Sequence, residues 1–191
     1  MREAIDSALR QTYPHIEIVL VDDGSADNSR EITASYGSRV VLVFKKNSGQ
    51  ASAFNAGFTA SRGEIVIFLD ADDYLFPHAA ERIVAAWEPG VAKLHYRLET
   101  VDTLGKPFGF EPPRDRLLAS GDVLPILLEK GYYSTNVTSG NAYQSGSLGP
   151  NAPGAGGRVS HVGRWLSECL AVFLRTRQLR GSSSGSLPHS R

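Results

Sequence analysis

Apolar positions along the chain recur in two periods, and the places where the period changes mark its elements. From Arg2 to Gln11, Ala4, Ile5, Ala8 and Leu9 fall on one helical face, and Tyr13-Pro14 stops the pattern. Ile16 to Val21 is a short run rich in β-branched residues that ends at Asp22-Asp23-Gly24-Ser25, which reads as a strand followed by a turn. Asp27 can cap a helix through about Tyr36, Gly37 can end it, and Val40 to Phe44 reads as a second strand. A small-residue helix over about Gln50 to Ser61 ends at Gly63, and Glu64 to Leu69 is a third strand. Pro77 can open a helix through about Trp87; Lys93 to Val101 reads as a strand, with a turn at Gly105.

Strands that are apolar throughout and alternate with helices of about ten residues predict a mostly parallel α/β sheet covered on both faces. Ligands of such sheets sit beyond the carboxyl ends of the strands. Two acidic clusters fall at those ends: Asp22-Asp23, and Asp70-Ala71-Asp72-Asp73 after the run Val66-Ile67-Phe68-Leu69. Carboxylates this close repel one another and resist desolvation, so a divalent cation bound to phosphate is a natural partner. A solvated turn with one Asp capping the next helix accounts for a lone acidic triplet equally well. A second acidic turn on the same rim favours a site. Asp73 is the residue expected to act as that cap.

Composition narrows the classes. The chain has 191 residues, 20 Lys plus Arg against 20 Asp plus Glu, and one cysteine. Zero net charge supplies no global field for nucleic acid or anionic lipid. A single Cys169 excludes an internal disulfide framework and any multi-cysteine metal knuckle. No signal-peptide core and no run of membrane-spanning length occurs, so the expected location is cytoplasmic. Gly-x-Gly-x-x-Gly, Walker and His-Glu-x-x-His motifs are absent, which leaves dinucleotide, triphosphatase and zinc-protease readings without support. Ser145 to Arg191 differs in kind, with six Arg, no Lys and a single acid, Glu168.

Four segments in order resemble the family 2 inverting glycosyltransferases, which have the GT-A fold and use nucleotide-sugar donors. Ala4 to Pro14 is similar to the family's first helix. Val21-Asp22-Asp23-Gly24-Ser25-Ala26-Asp27 resembles its nucleotide-binding turn, Asn47-Ser48-Gly49-Gln50 through Asn55-Ala56-Gly57 its Asn-Gly-Gly…Ala-x-Asn-x-Gly segment, and Asp70-Ala71-Asp72-Asp73 its DXD motif. The resemblance covers roughly Arg2 to Tyr143. It implies a Rossmann-like GT-A sheet with helices on both faces and a Mg²⁺ or Mn²⁺ ion held by Asp72, with Asp70 near the ribose or the metal. Asp23 would accept a hydrogen bond from the base, with Asp22 beside it. Asn47, Gly49 and Asn55 would shape the donor pocket, a helix-to-strand hydrogen bond being the alternative for Asn55. Thr138-Ser139-Gly140-Asn141 resembles the acceptor-side segment, placing Ser139 and Gly140 near the sugar. The implied donor is a UDP-, GDP- or dTDP-sugar. The implied acceptor is a saccharide, such as a cell-envelope polysaccharide, a lipid-linked sugar or a protein, and a lipid-linked acceptor is compatible with peripheral association at the inner membrane face.

Two departures accompany the match. The family's first strand, of the type Val-Ser-Val-Ile-Ile-Pro-Thr-Tyr-Asn, has no counterpart before Arg2, which is expected to leave exposed strand edges. After Tyr143, a Gly-, Ser- and Arg-rich tail replaces the segment that would supply the general base, and no matched position provides one. Residues 1–143 are therefore expected to form a partial donor-binding domain. Residues 144–191 are expected to be a largely irregular tail, disordered or read out of frame, with only Arg164 to Arg177 showing a helical pattern. Glu99, Asp102 and Asp122 are carboxylates outside any matched segment. Little or no transfer is expected of the chain as written. A noncatalytic nucleotide-binding module or a defunct gene fragment is the alternative; a nucleotidyltransferase would need a Gly-rich phosphate loop that the sequence lacks.

Overall fold

A computed structural model of the chain describes residues 1–148 and the backbone of residues 168–174. The elements follow the predicted alternation: α1 (Arg2–Leu9), β1 (Ile16–Asp22), α2 (Ser29–Ala34), β2 (Val41–Phe44), α3 (Gln50–Ala60), β3 (Ile65–Asp70) and α4 (Ala79–Ala85). Then come β4 (Lys93–His95), β5 (Leu98–Val101), β6 (Pro107–Glu111), α5 (Leu124–Lys130), β7 (Asn141–Gln144) and β8 (Glu168–Leu174).

Six strands form one sheet in the order β2-β1-β8-β3-β7-β4. β1 and β2 pair in parallel, and β8 runs antiparallel to both β1 and β3, so β1 and β3 point the same way. β7 is antiparallel to β3 and to β4. Four strands thus share one direction, and two, β8 and β7, oppose it. The α/β, GT-A-like reading stands.

Period-two alternation distributes the strands' side chains between two cores. Ile18 and Leu20 of β1 and Ile65, Ile67 and Leu69 of β3 face a layer containing Ala4, Ile5 and Ala8 of α1 and Ala80 and Ile83 of α4. Val19 and Val21, with Val66 and Phe68, face α3 through Ala53 and Phe54. The Phe54 and Phe68 rings lie 4.3 Å apart. Because both faces are covered, β1 from Ile18 to Val21 and β3 from Ile65 to Leu69 are apolar throughout; Glu17, near the start of β1, accepts the Arg62 N–H (2.7 Å), and Asp22 and Asp70 mark the carboxyl ends.

Three expectations are corrected. Lys93 to Val101 is not one strand: β4 belongs to the main sheet, whereas β5 pairs with β6 in a separate hairpin. The chain turns at Tyr96-Arg97 because the Tyr96 N–H donates to the Gly140 carbonyl (3.0 Å). The Arg97 guanidinium then donates to the carbonyls of Pro112, Pro113, Arg114 and Arg116. The helical pattern over Arg164 to Arg177 gives way at Glu168–Leu174 to strand β8, since a slot flanked by two strands rewards backbone pairing more than an isolated amphipathic turn does. That insertion also covers the edges of β1 and β3 expected to be exposed: Asp22 registers with Glu168 and Asp70 with Cys169. The other residues of the tail, 149–167 and 175–191, lie outside the described residues.

Candidate functional site

The carboxyl ends of β1 and β3 carry the two acidic clusters, and the chain treats them differently. At the β1 end Asp22 and Asp23 are only 3% and 2% exposed. One Asp22 oxygen accepts the Ser25 N–H at 2.8 Å, and the other lies 3.4 Å from the Arg30 guanidinium without hydrogen-bond geometry. Asp23 holds the loop after β2. It accepts the Ser48 N–H (3.1 Å) and the Gly49 N–H (2.7 Å), and it pairs with the Lys45 ammonium. Both of its oxygens thus accept from chain donors, which fixes the carboxylate against the loop. Gly24 makes this arrangement available. Its φ is +83°, and a Cβ there would stand 2.8 Å from the Asn47 nitrogen, so the turn after β1 and the loop after β2 approach more closely than any side chain permits.

At the β3 end Asp70, Asp72 and Asp73 have no such cation: among the described residues, no Lys, Arg or His lies within ion-pair distance of them. Their partners are neutral. The Gln50 amide, at the first position of α3, donates to Asp70 at 3.3 Å. Ser139, fully buried, accepts the Asp70 N–H through its hydroxyl oxygen at 3.0 Å. Burial, reinforced by the Asp73 and Asp72 charges, pushes the Asp70 carboxyl up to about 6, with the Gln50 hydrogen bond acting in the opposite direction. Burial likewise raises Asp73; the neighbouring Ser139 hydroxyl opposes that shift and the Asp72 charge adds to it. Asp72 is exposed.

Asp73 does not cap the next helix. α4 begins only at Ala79, with His78 in the capping position, and the Asp73 N–H closes a turn onto the Asp70 carbonyl (3.1 Å). The helix expected to open at Pro77 starts two residues later, since Pro77-His78 form a turn closed by the Ala79 N–H on the Phe76 carbonyl (2.9 Å). Asp27, in contrast, does accept the Ser29 N–H at 3.0 Å at the start of α2.

Consecutive residues bridge the two ends. Gly49 bonds to Asp23 and Gln50 to Asp70, so the N-terminus of α3 stands between the clusters and places its unpaired N–H groups there. Asn47 and Gly49 are exposed on the connecting loop; Asn55 is exposed about a turn and a half along α3 from Gln50. Gly140 packs under Asn136, whose side chain fills the space a Cβ would need. Sequence reasoning missed Lys45, Gln50 and Gly24 as site residues. For Gln50 a signal existed: it directly follows a loop glycine and opens a helix after a strand.

The model of glycosyl transferase family 2 matches residues 1–97, a span that holds both acidic ends and the α3 bridge between them. The chain belongs to this family. A relative in Nostoc sp. (strain PCC 7120), named as an uncharacterized glycosyltransferase, is 39% identical over 150 residues, covering 75% of this chain and 46% of the relative. An uncharacterized glycosyltransferase of Rickettsia typhi is 47% identical over 81 residues (42% of this chain, 26% of the relative). The uncharacterized glycosyltransferase EpsJ of Bacillus subtilis is 42% identical over 86 residues (44% of this chain, 25% of the relative). The chain of this family 2 member therefore spans less than half the length of these relatives. Among its described residues no helix is long and apolar enough to cross a membrane.

Among the described residues, no three carboxylate, imidazole or thiolate side chains close around one point. The β3 end therefore offers at most two carboxylates to one ion, and only a hard cation that takes most of its ligands from elsewhere could be held there. Mg²⁺ behaves this way, taking one or two protein carboxylates and completing its shell with water and phosphate oxygens.

Proposed function

We propose that this family 2 chain binds a nucleoside-diphosphate sugar, with a UDP-, GDP- or dTDP-linked leaving group, at the carboxyl ends of β1 and β3. In this reading it supplies the donor half of a sugar transfer to a saccharide, lipid-linked or protein acceptor. The observation that carries the proposal is the difference between the two strand ends. Asp22 and Asp23 are compensated by Arg30 and Lys45, whereas Asp70, Asp72 and Asp73 have no cation within ion-pair distance among the described residues. Carboxylates crowded in this way favour a positive partner.

A Mg²⁺ or Mn²⁺ ion fits there, with Asp72 its exposed ligand and Asp70 beside it. Such an ion stabilises the charge that develops on a diphosphate leaving group. The chain's own residues do the rest of the binding. The first N–H groups of α3 offer hydrogen bonds to phosphate oxygens, and Gly49 leaves its surroundings open for that approach. Asn47 and Asn55 border the pocket, Asp22 and Asp23 set the loop that forms its nucleoside side, and Ser139 holds the Asp70 backbone in place.

A noncatalytic donor-binding role for this span is favoured by the carboxylates available as a base. Asp102 accepts the N–H groups of Leu104 and Lys106 in the β5–β6 turn, and Asp122 accepts that of Leu124 at the start of α5. These two already have a structural task, and the third such carboxylate, Glu99, lies on β5 of the separate hairpin.

Calorimetry with UDP, GDP and dTDP, with and without Mn²⁺, tests the reading. Metal-dependent binding that disappears in Asp72→Ala is expected, with little or no transfer. Binding of no nucleotide under any of these conditions would sink it.

A further inference from the structure

Immediately after the acidic strand end, the chain leaves two large aromatic side chains in water. Tyr74 is 40% exposed and Phe76 57%, while Leu75 between them is 5% exposed. The segment is extended, so alternate residues face opposite ways: Leu75 enters the core and Tyr74 and Phe76 point out together. Their rings are 6.3 Å apart and nearly perpendicular, at 81°.

The backbone beneath them is fixed at every step. The Leu75 N–H donates to the buried Ser7 hydroxyl (3.0 Å), and the Gln11 amide donates to the Phe76 carbonyl (2.8 Å). The Thr12 N–H donates to the Pro77 carbonyl (2.9 Å), and the Ala79 N–H to that of Phe76 (2.9 Å). These bonds tie the segment to α1 and α4, and exposed apolar surface tied down beside a candidate site suits a binding surface.

We propose that Tyr74 and Phe76 form a stacking ledge for a pyranose ring of a neutral saccharide acceptor, with Asp73 taking its hydroxyl hydrogen bonds. The inference rests on the donor-site reading and extends it to the class of acceptor. A pyranose has an apolar C–H face and a rim of hydroxyl donors. An aromatic ring attracts the first, and a carboxylate accepts from the second. Here the two kinds of group are adjacent in the chain: Tyr74 directly follows Asp73.

Charge excludes the other common occupant of exposed aromatics, an anionic lipid surface. From Gly63 to Glu81 the chain has no Lys or Arg, whereas Glu64, Asp70, Asp72, Asp73 and Glu81 are acidic. Surface-seated aromatics that work with anionic membranes sit among basic residues.

The test is a glycan array of neutral pyranose oligosaccharides probed with the whole chain in UDP and Mn²⁺. It compares wild type, Tyr74→Ala/Phe76→Ala and Tyr74→Phe. Both side chains are exposed, so the variants should keep the wild-type circular dichroism. Wild type should retain at least one glycan, the double variant should lose about tenfold or more in affinity for it, and Tyr74→Phe should keep it. Calorimetry with UDP and Mn²⁺ should not distinguish the three. Unchanged glycan binding by the double variant, or none by wild type, overturns the ledge. So does a Tyr74- and Phe76-dependent attachment to phosphatidylcholine vesicles, which would assign the pair to lipid. Glycan binding lost in the double variant, without UDP binding by any of the three, upholds the ledge and overturns the donor site instead.

Discussion

Replacing Asp70 with Asn should make the folded chain more stable at neutral pH, although it removes a carboxylate from the site. Burial and the neighbouring charges of Asp73 and Asp72 raise the native Asp70 carboxyl to about 6. The unfolded chain titrates the same group near ~3.9. Between these values the native state keeps a proton that the unfolded state has released. The folded form therefore gains stability from Asp70 as pH falls toward about 4 and loses it as pH rises to about 6, after which the loss is constant. A gap of about two units at ~1.4 kcal/mol each sets an upper bound near 3 kcal/mol, and screening by solvent at a half-buried group reduces this to about 1–2 kcal/mol. Asn keeps the size of the side chain and still accepts from Gln50. Urea unfolding should show the variant ahead by about 1–2 kcal/mol at pH 7.5 and level with wild type at pH 4, with equal m-values. An advantage absent at pH 7.5, or of the same size at both pH values, would refute the assignment of electrostatic tension to Asp70.

Gly24→Ala should cost at least about 1–2 kcal/mol, because Ala at φ +83° is strained and its Cβ would meet the Asn47 nitrogen at 2.8 Å. Faster hydrogen exchange at the Ser48 and Gly49 amides, which Asp23 holds, is the local readout. Ser139→Ala should cost about 1–3 kcal/mol in urea unfolding by orphaning the buried Asp70 N–H, and Ser139→Thr should lose less if its methyl is accommodated. On the proposed reading, Mn²⁺ should tighten UDP binding and UDP should tighten Mn²⁺ binding, measured by calorimetry in both orders; UDP binding of the same affinity with and without Mn²⁺ would refute a shared site.

The part of the fold legible in the sequence is the part where local and tertiary demands agree. β1 from Ile18 to Val21 and β3 from Ile65 to Leu69 are apolar at every position because helices cover both faces of the sheet, so these runs announce themselves. Asp22, Asp23, Asp70, Asp72 and Asp73 follow from where those runs stop. What was not legible depends on distant partners. Lys93 to Val101 looks like one strand, and only the bonds of Tyr96 to Gly140 and of Arg97 to the 112–116 carbonyls break it. Glu168–Leu174 carries a helix-compatible spacing, and the slot between β1 and β3 overrides it. Gln50 and Lys45 are ordinary loop and helix-start residues until the strand ends bring Asp70 and Asp23 within reach.

On the proposed reading, the cation belongs to the β3 end of the site rather than the β1 end because only there do the described residues leave the carboxylates uncompensated. Both are built on the last residues of buried strands, where desolvation disfavours charge. At β1 the chain answers that cost internally: Lys45 and Arg30 face the carboxylates, and three backbone N–H groups add hydrogen bonds. The result is a closed scaffold that fixes the loop leading into α3. At β3 the answer is incomplete, because an amide and a hydroxyl can orient Asp70 and Asp73 but cannot neutralise them. A lysine there would relieve the repulsion and stabilise the fold, and it would also occupy the place a cation needs. On the proposed reading, the crowded carboxylates make this strand end less stable, and the free energy released when a cation neutralises them would be available to binding. Rigid support on one strand and unrelieved charge on the next are thus two halves of one arrangement, joined by the Gly49-Gln50 start of α3.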